Sequence, residues 1–113
     1  MDFEQIVVKN NEDEQRYEVK IDDQVAVLTY KRRGDQITYL HTGVPPALAG
    51  HSIANRLAHT ALEDARAQEL TVFPVCPFVA TYIRHHLEYL SLLTAAEQAR
   101  LLDQGQNGSN KSS

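Results

Sequence analysis

The chain lacks a second cysteine, any tryptophan and any long apolar run. Its 113 residues hold one cysteine, one methionine, five glycines and four prolines. A single Cys76 excludes a disulfide scaffold. No apolar stretch approaches the 18 or so residues that read as a membrane-spanning helix, so no membrane partner is expected. No self-similarity recurs at the roughly 20–50-residue period of a repeat array. Positive charge is also scarce: 11 Lys+Arg stand against 15 Asp+Glu, a net charge of −4. Proteins that coat phosphate backbones carry the opposite sign, so no nucleic-acid partner is expected. The one basic run, Lys31-Arg32-Arg33, reads as a solvated hairpin tip. The opening Met-Asp-Phe-Glu has no signal or transit pattern, and with one unpaired cysteine this points to a cytoplasmic protein.

What is present is a globular composition, 42% hydrophobic and 23% charged, which suits one core. Residues 1–104 read as a single domain and the Asn/Gly/Ser-rich residues 105–113 as a disordered tail. The first half reads as strands. Ile6-Val7-Val8 is a short apolar run followed by a polar turn at 10–14. Tyr17, Val19 and Ile21 alternate with Glu18 and Lys20, the period-2 signature of a half-buried strand. Residues 25–30 and 37–44 follow, separated by Gly34-Asp35. Four strands joined by short polar turns imply an antiparallel meander.

Pro45-Pro46 ends that series, and the period changes. Ile53, Leu57, Ala61 and Ala65 recur every four residues, widened by Ala54, Ala58 and Leu62. This predicts an amphipathic helix over 52–68. Residues 70–75 suit a buried strand lying parallel to an earlier one. Cys76-Pro77 can open a second helix with Phe78, Val79, Tyr82 and Ile83 inward. A third begins at Thr94, where Thr94 and Glu97 fit a capping box and Gly105 suits the far end.

The candidate chemistry lies at the strand-to-helix junction. The first turn of a helix presents unpaired backbone N–H groups and the positive end of its dipole, so a diphosphate can dock there. Gly50 permits close backbone approach. Alone, Gly50-His51-Ser52 is equally a plain turn. The wider pattern is more specific: His41-Thr42-Gly43-Val44-Pro45-Pro46, Leu48-Ala49-Gly50-His51-Ser52-Ile53-Ala54, Val75-Cys76-Pro77-Phe78-Val79 and the run from Tyr82 to Tyr89. With these the chain resembles the small YjdJ-type branch of the GNAT N-acetyltransferase superfamily, over roughly residues 15–92. The resemblance implies an α/β (α+β) fold with a mixed, mostly antiparallel sheet splayed between its fourth and fifth strands, and packed helices. It implies acetyl-CoA as co-substrate in that gap and an amine acceptor, on a small molecule or a protein. It places the diphosphate on the amides of Gly50, His51, Ser52, Ile53 and Ala54, and the pantetheine arm along His41, Thr42, Gly43 and Val44.

There are departures. Ala47 and Ser52 replace the superfamily's first polar residue and second glycine in the phosphate loop. Gly43 stands where branch members often carry an acid, and Leu87 where they often carry proline. Ser52 offers a hydroxyl to a phosphate or to the helix as a cap.

Acetyl transfer needs a neutral amine, a polarised thioester carbonyl and a route for the departing thiolate. Preorganised backbone N–H donors can polarise the carbonyl. Cys76 at a helix start can serve as nucleophile or as the acid that protonates coenzyme A; the plain alternative is a small buried apolar residue. Tyr82, six residues on, can protonate the thiolate or simply pack. Both also count among the residues expected to line the cofactor. His41 can deprotonate or orient an amine, or be structural. His85 and His86 read as helix-end residues that offset the dipole or line an acceptor pocket. No metal is expected: His51 and His59 are eight apart and no His-Glu-x-x-His occurs. A non-catalytic acyl-CoA-binding module and a cysteine hydrolase pairing Cys76 with His41 or His86 are the competing readings.

Overall fold

The computed structural model describes residues 6–110, with side chains described through Asp103. Five strands form one sheet in the order of the chain. They are β1 (Lys9–Asn11), β2 (Arg16–Ile21), β3 (Gln24–Arg33), β4 (Gln36–Gly43) and β5 (Thr71–Pro74). The first four form an antiparallel meander, and β5 joins β4 in parallel, as the strand-helix-strand pattern predicts. Between β4 and β5 lie a 3-10 turn (Pro46–Leu48) and helix α1 (Ile53–Ala67). After β5 come α2 (Pro77–Arg84), a 3-10 stretch (Leu87–Leu92) and α3 (Ala95–Asn110).

Two boundaries differ from the sequence expectation. The edge strand is the polar Lys9–Asn11, whereas Ile6 and Val8 precede it and pack partly against the core. Side-chain pairing explains the polar choice: Asn10 accepts the Tyr30 hydroxyl at 2.6 Å, and Asn11 donates to Glu18 at 3.1 Å. The third helix does begin with the Thr94 hydroxyl accepting the Glu97 amide at 3.1 Å, but it runs through Gly105 to Asn110. An interior glycine costs a helix about 1 kcal/mol relative to alanine without breaking a hydrogen bond, so it does not force an end. Of the expected disordered tail, residues 111–113 lie outside the described residues.

The helix layer is tied to one face of the sheet. On that face Tyr17, Val19, Ala26, Leu28, Ile37 and Tyr39 are buried. They meet the α1 stripe of Ile53, Leu57, Ala58, Ala61, Leu62 and Ala65, all buried. Each fully buried leucine, such as Leu57 or Leu62, contributes about 1.5–3 kcal/mol of transfer free energy. The alanines let the helix sit close to the strands. Tyr39 is fully buried, and its hydroxyl donates to the Ala61 carbonyl at 2.7 Å; Tyr17 donates to Asp64 at 2.9 Å. A buried hydroxyl without such a partner would be destabilising.

The opposite face is different. Among the described residues every position on it is half-buried or exposed except Glu18. Arg16 and Asn11 donate to the Glu18 carboxylate, and Lys20 stands 3.8 Å away. The Arg16 hydrogen bond is the main cause that holds this carboxyl below its ordinary pKa of 4.5, against the opposing effect of burial.

Candidate functional site

The site begins with a mismatch of strand lengths. β5 pairs with β4 only from Gln36↔Thr71 to Tyr39↔Pro74, and the Cys76 amide makes the last link, to the Tyr39 carbonyl at 2.8 Å. Pro74 has no N–H to extend the ladder, and Pro77 at the first position of α2 turns the chain into a helix. β4 runs on to Gly43 with no β5 partner, so the two strands part beyond Tyr39.

A bulge sets what faces the gap. The β3 register shifts from Tyr30↔Tyr39 to Thr29↔His41, leaving Leu40 as the extra residue. A bulge shifts the alternation of side chains by one. Thr42, opposite the buried Leu28, therefore shares the helix-side face with Tyr39, and His41 turns to the other face. Thr42 Oγ1 then lies 3.2 Å from Cys76 Sγ across the parting strands. Cys76 is 2% exposed at the N-cap of α2.

Just past the end of β4 lies a cavity of about 270 Å³. Its walls are Val44, Leu48, Ala49, Gly50, Ser52, Ile53, Ala54, Asn55 and Phe78. Leu48, fully buried, anchors the 3-10 turn that brings the loop round. Gly50 adopts φ +84°, and a Cβ added there would meet nothing within 4 Å, so conformation and not crowding demands glycine. Ser52 also takes a left-handed φ, +57°, and its hydroxyl does not cap α1. An N-cap side chain reaches its amide from the extended region of φ/ψ, which Ser52 does not occupy. Of the two uses the sequence leaves for the Ser52 hydroxyl, the cap is not made: no side chain caps this end, no acid stands in the first turn, and the first intrahelical bond is Arg56 N–H to the Ser52 carbonyl. The amides of Ile53, Ala54 and Asn55 precede that bond, and these three residues line the cavity at the helix start, where the dipole favours an anion.

The sequence-predicted site residues are therefore split. Val44, Gly50, Ser52, Ile53 and Ala54 line one cavity, and His51 stands exposed between Gly50 and Ser52. Thr42 and Cys76 meet in the throat between β4 and α2. His41 lies on the outer face of β4 beside Gly43, whose added Cβ would come within 3.3 Å of its Nε2. Tyr82 is about 9 Å along α2 from Cys76 and about 240° around it, from helix geometry. Its ring stacks on His86 at 4.0 Å and tilts against Phe78 at 6.5 Å and Tyr89 at 6.2 Å. Burial first, then the Glu88 and Glu63 carboxylates, raise its hydroxyl pKa, which keeps it protonated. Cys76, Tyr82 and His41 are not brought to one point. Sequence reasoning did not anticipate Leu48, Ala49, Asn55 and Phe78 as cavity walls, or Thr42 as a side-chain partner of Cys76. Phe78 was legible as an inward helix residue; nothing in the sequence marks the Leu40 bulge.

Other polar clusters lie away from this gap. Tyr89 donates to Glu63 at 2.6 Å and touches His59 at 3.3 Å, which pins the Leu87–Leu92 stretch to α1 and lowers the Glu63 pKa. A larger cavity, about 330 Å³, lies at the other end of α1 against Tyr30, Arg32 and Gln68. Its polar groups already bond one another: Arg32 donates to Gln68 at 2.7 Å, and Tyr30 to Asn10. It is a furrow between the hairpins, remote from the parting strands. Among the described residues no group of three or more His, Cys, Asp or Glu side chains can hold a metal ion, and no helix is long and apolar enough to cross a membrane.

Comparison with known proteins agrees with this fold. A family model described as GCN5-related N-acetyl-transferase matches residues 16–92, from β2 through the last 3-10 stretch. The chain belongs to this family. The matched span holds every element of the gap and cavity described above. A GCN5-like putative N-acetyltransferase from Staphylococcus aureus, solved by solution NMR, shares the fold with a TM-score of 0.62. It is 23% identical, and the match covers 79% of this chain and 88% of the other. No curated protein matches the chain.

Proposed function

We propose that this chain is an acetyl-CoA-dependent N-acetyltransferase of the small YjdJ-type branch, acting on an amine of a small molecule or protein. The observation that carries the reading is the run of β4 past the end of β5, beside a cavity floored by the uncapped amides of α1. The residues present fit a coenzyme A-type ligand. Uncapped amides suit its diphosphate, and Val44, Leu48, Ile53 and Phe78 suit its aliphatic arm. The backbone of His41, Thr42, Gly43 and Val44, unpaired on the β5 side, suits the arm's amides. When bound, acetyl-CoA supplies the activated acyl group.

In the transfer the amine nitrogen bonds to the acyl carbon, the carbon–sulfur bond breaks, and the proton the nitrogen loses ends on the departing sulfur. An unpaired N–H of β4 can polarise the carbonyl. Cys76, steadied by Thr42, is the nearest ionisable side chain to the throat and is assigned the proton or acyl relay. His41 and Tyr82 are assigned supporting places, His41 toward an acceptor arriving from the outer face and Tyr82 behind Phe78. The lone unpaired cysteine suits a reducing cytoplasm.

A second reading is favoured by Gly43, which leaves the end of β4 without an acid, and by the near-complete burial of Cys76. It is a non-catalytic acyl-CoA-binding module. Free coenzyme A released from acetyl-CoA, measured across a broad amine panel, separates the two. Amine-dependent release supports the enzyme. Saturable binding with no release above the amine-only background supports the module.

A further inference from the structure

The uncovered sheet face inverts the charge of the whole chain. The register places Lys9, Arg16, Lys20, Lys31 and Arg33 on it, with Glu18 as its single acid. The face thus holds five of the 11 Lys+Arg side chains and one of the 15 acids, in a chain of net charge −4. Six cations and fourteen acids are left for everything else. The basic run at 31–33 is the exposed end of the β3–β4 hairpin, and strand alternation sends Lys31 and Arg33 to this face and Arg32 to the other, where it bonds Gln68.

Glu18 does not neutralise the face. It is 4% exposed and engages only Arg16, Lys20 and Asn11. Among the described residues no carboxylate lies within ion-pair distance of Lys9, Lys31 or Arg33. At the other end of β3 from Lys31 and Arg33 stand aliphatic side chains, Val25 at 37% exposure and the half-buried Val27.

We propose that this sheet face docks a short extended acidic protein segment lying along β3, with aliphatic side chains at one end and carboxylates at the other. The carboxylates would meet Lys31 and Arg33, and the aliphatic side chains Val25 and Val27. The acids elsewhere on the sheet argue for a short peptide over a polyphosphate. Exposed Glu12, Asp13, Glu14 and Asp35 rim one end of the strands, and Asp22 and Asp23 rim the other. A long nucleic-acid backbone tracking along the face would run into both rims, whereas a segment short enough to lie along β3 between them would not. Base-stacking platforms are also thin: the face carries one aromatic strand residue, the half-buried Phe73. The inference is independent of acetyl transfer, since it uses no residue of the cavity.

The test is an NMR titration of the full chain with a short N-acetylated peptide that carries valines at one end and glutamates at the other. A lysine–valine peptide and a single-stranded oligodeoxynucleotide of equal charge serve as comparisons. The expected result is saturable perturbation of backbone amides in β2 and β3, for the acidic peptide alone, fading as salt is raised. The Lys31→Glu/Arg33→Glu double variant, changed only at exposed positions, should bind about tenfold or more weakly. Its spectrum outside β3 and β4 should match the parent. No perturbation by the acidic peptide overturns the proposal. So does equal binding of the lysine–valine peptide, tighter binding of the oligonucleotide to this face, or unchanged affinity in the folded double variant.

Discussion

Replacing Thr42 by valine isolates one atom of the throat. Valine keeps the β-branched shape that suits a strand and removes only the hydroxyl 3.2 Å from Cys76 Sγ. The Cys76 amide stays bonded to the Tyr39 carbonyl, so the loop itself is not released. In the resting protein the lost contact is a neutral hydrogen bond to sulfur, worth about 0.5–1 kcal/mol. That corresponds to a melting point lower by roughly 3–5 °C for a domain of this size. If a thiolate forms at Cys76, the lost bond is one to a charged group, worth about 1.5–3 kcal/mol. Iodoacetamide alkylation of Cys76 and acetyl transfer should then each slow by about 10- to 100-fold. Thr42→Ser should restore both. A Thr42→Val protein that melts and reacts like the parent refutes the contact. One that melts lower yet alkylates and turns over normally makes it packing alone and removes a Cys76 thiolate from the reaction.

Other consequences are simpler. Leu57→Ala, at a fully buried α1 position, should destabilise by about 2–5 kcal/mol in a denaturant titration. Gly50→Val places a β-branched residue at φ +84° and should cost about 1–2 kcal/mol, with weaker coenzyme A binding by calorimetry in the protein that remains folded; unchanged affinity removes Gly50 from the site. Stability should fall as pH drops below 4.5, because Glu18 has a depressed pKa in the fold and its stabilisation is lost on protonation. Glu18→Gln should flatten that part of the pH–stability curve, and an unaltered curve would assign the acid sensitivity elsewhere.

Much of the architecture was legible because periodicity reports burial directly. The α1 stripe every four residues and the Tyr17-Val19-Ile21 alternation each name the face that packs, and both pack as read. The cavity was partly legible, since Gly50 and a strand-to-helix turn mark a place for close backbone approach. Its opposite wall, Phe78, and the throat were not. A bulge at Leu40 has no composition signal, yet it decides that Thr42 and not His41 faces Cys76. The edge strand was misplaced because apolar Ile6 and Val8 outweighed Asn10 and Asn11 in the reading. An edge strand can be polar when its side chains satisfy Tyr30 and Glu18. The Ser52 cap failed for a conformational reason, a left-handed φ that sequence does not display.

The most direct measurement is a two-dimensional amide NMR titration of the chain with coenzyme A. The account predicts saturable shifts at residues 41–44 on β4 and 50–55 at the start of α1, with Phe78 following. Shifts confined to the furrow around Tyr30 and Arg32, or none at saturating ligand, would contradict it.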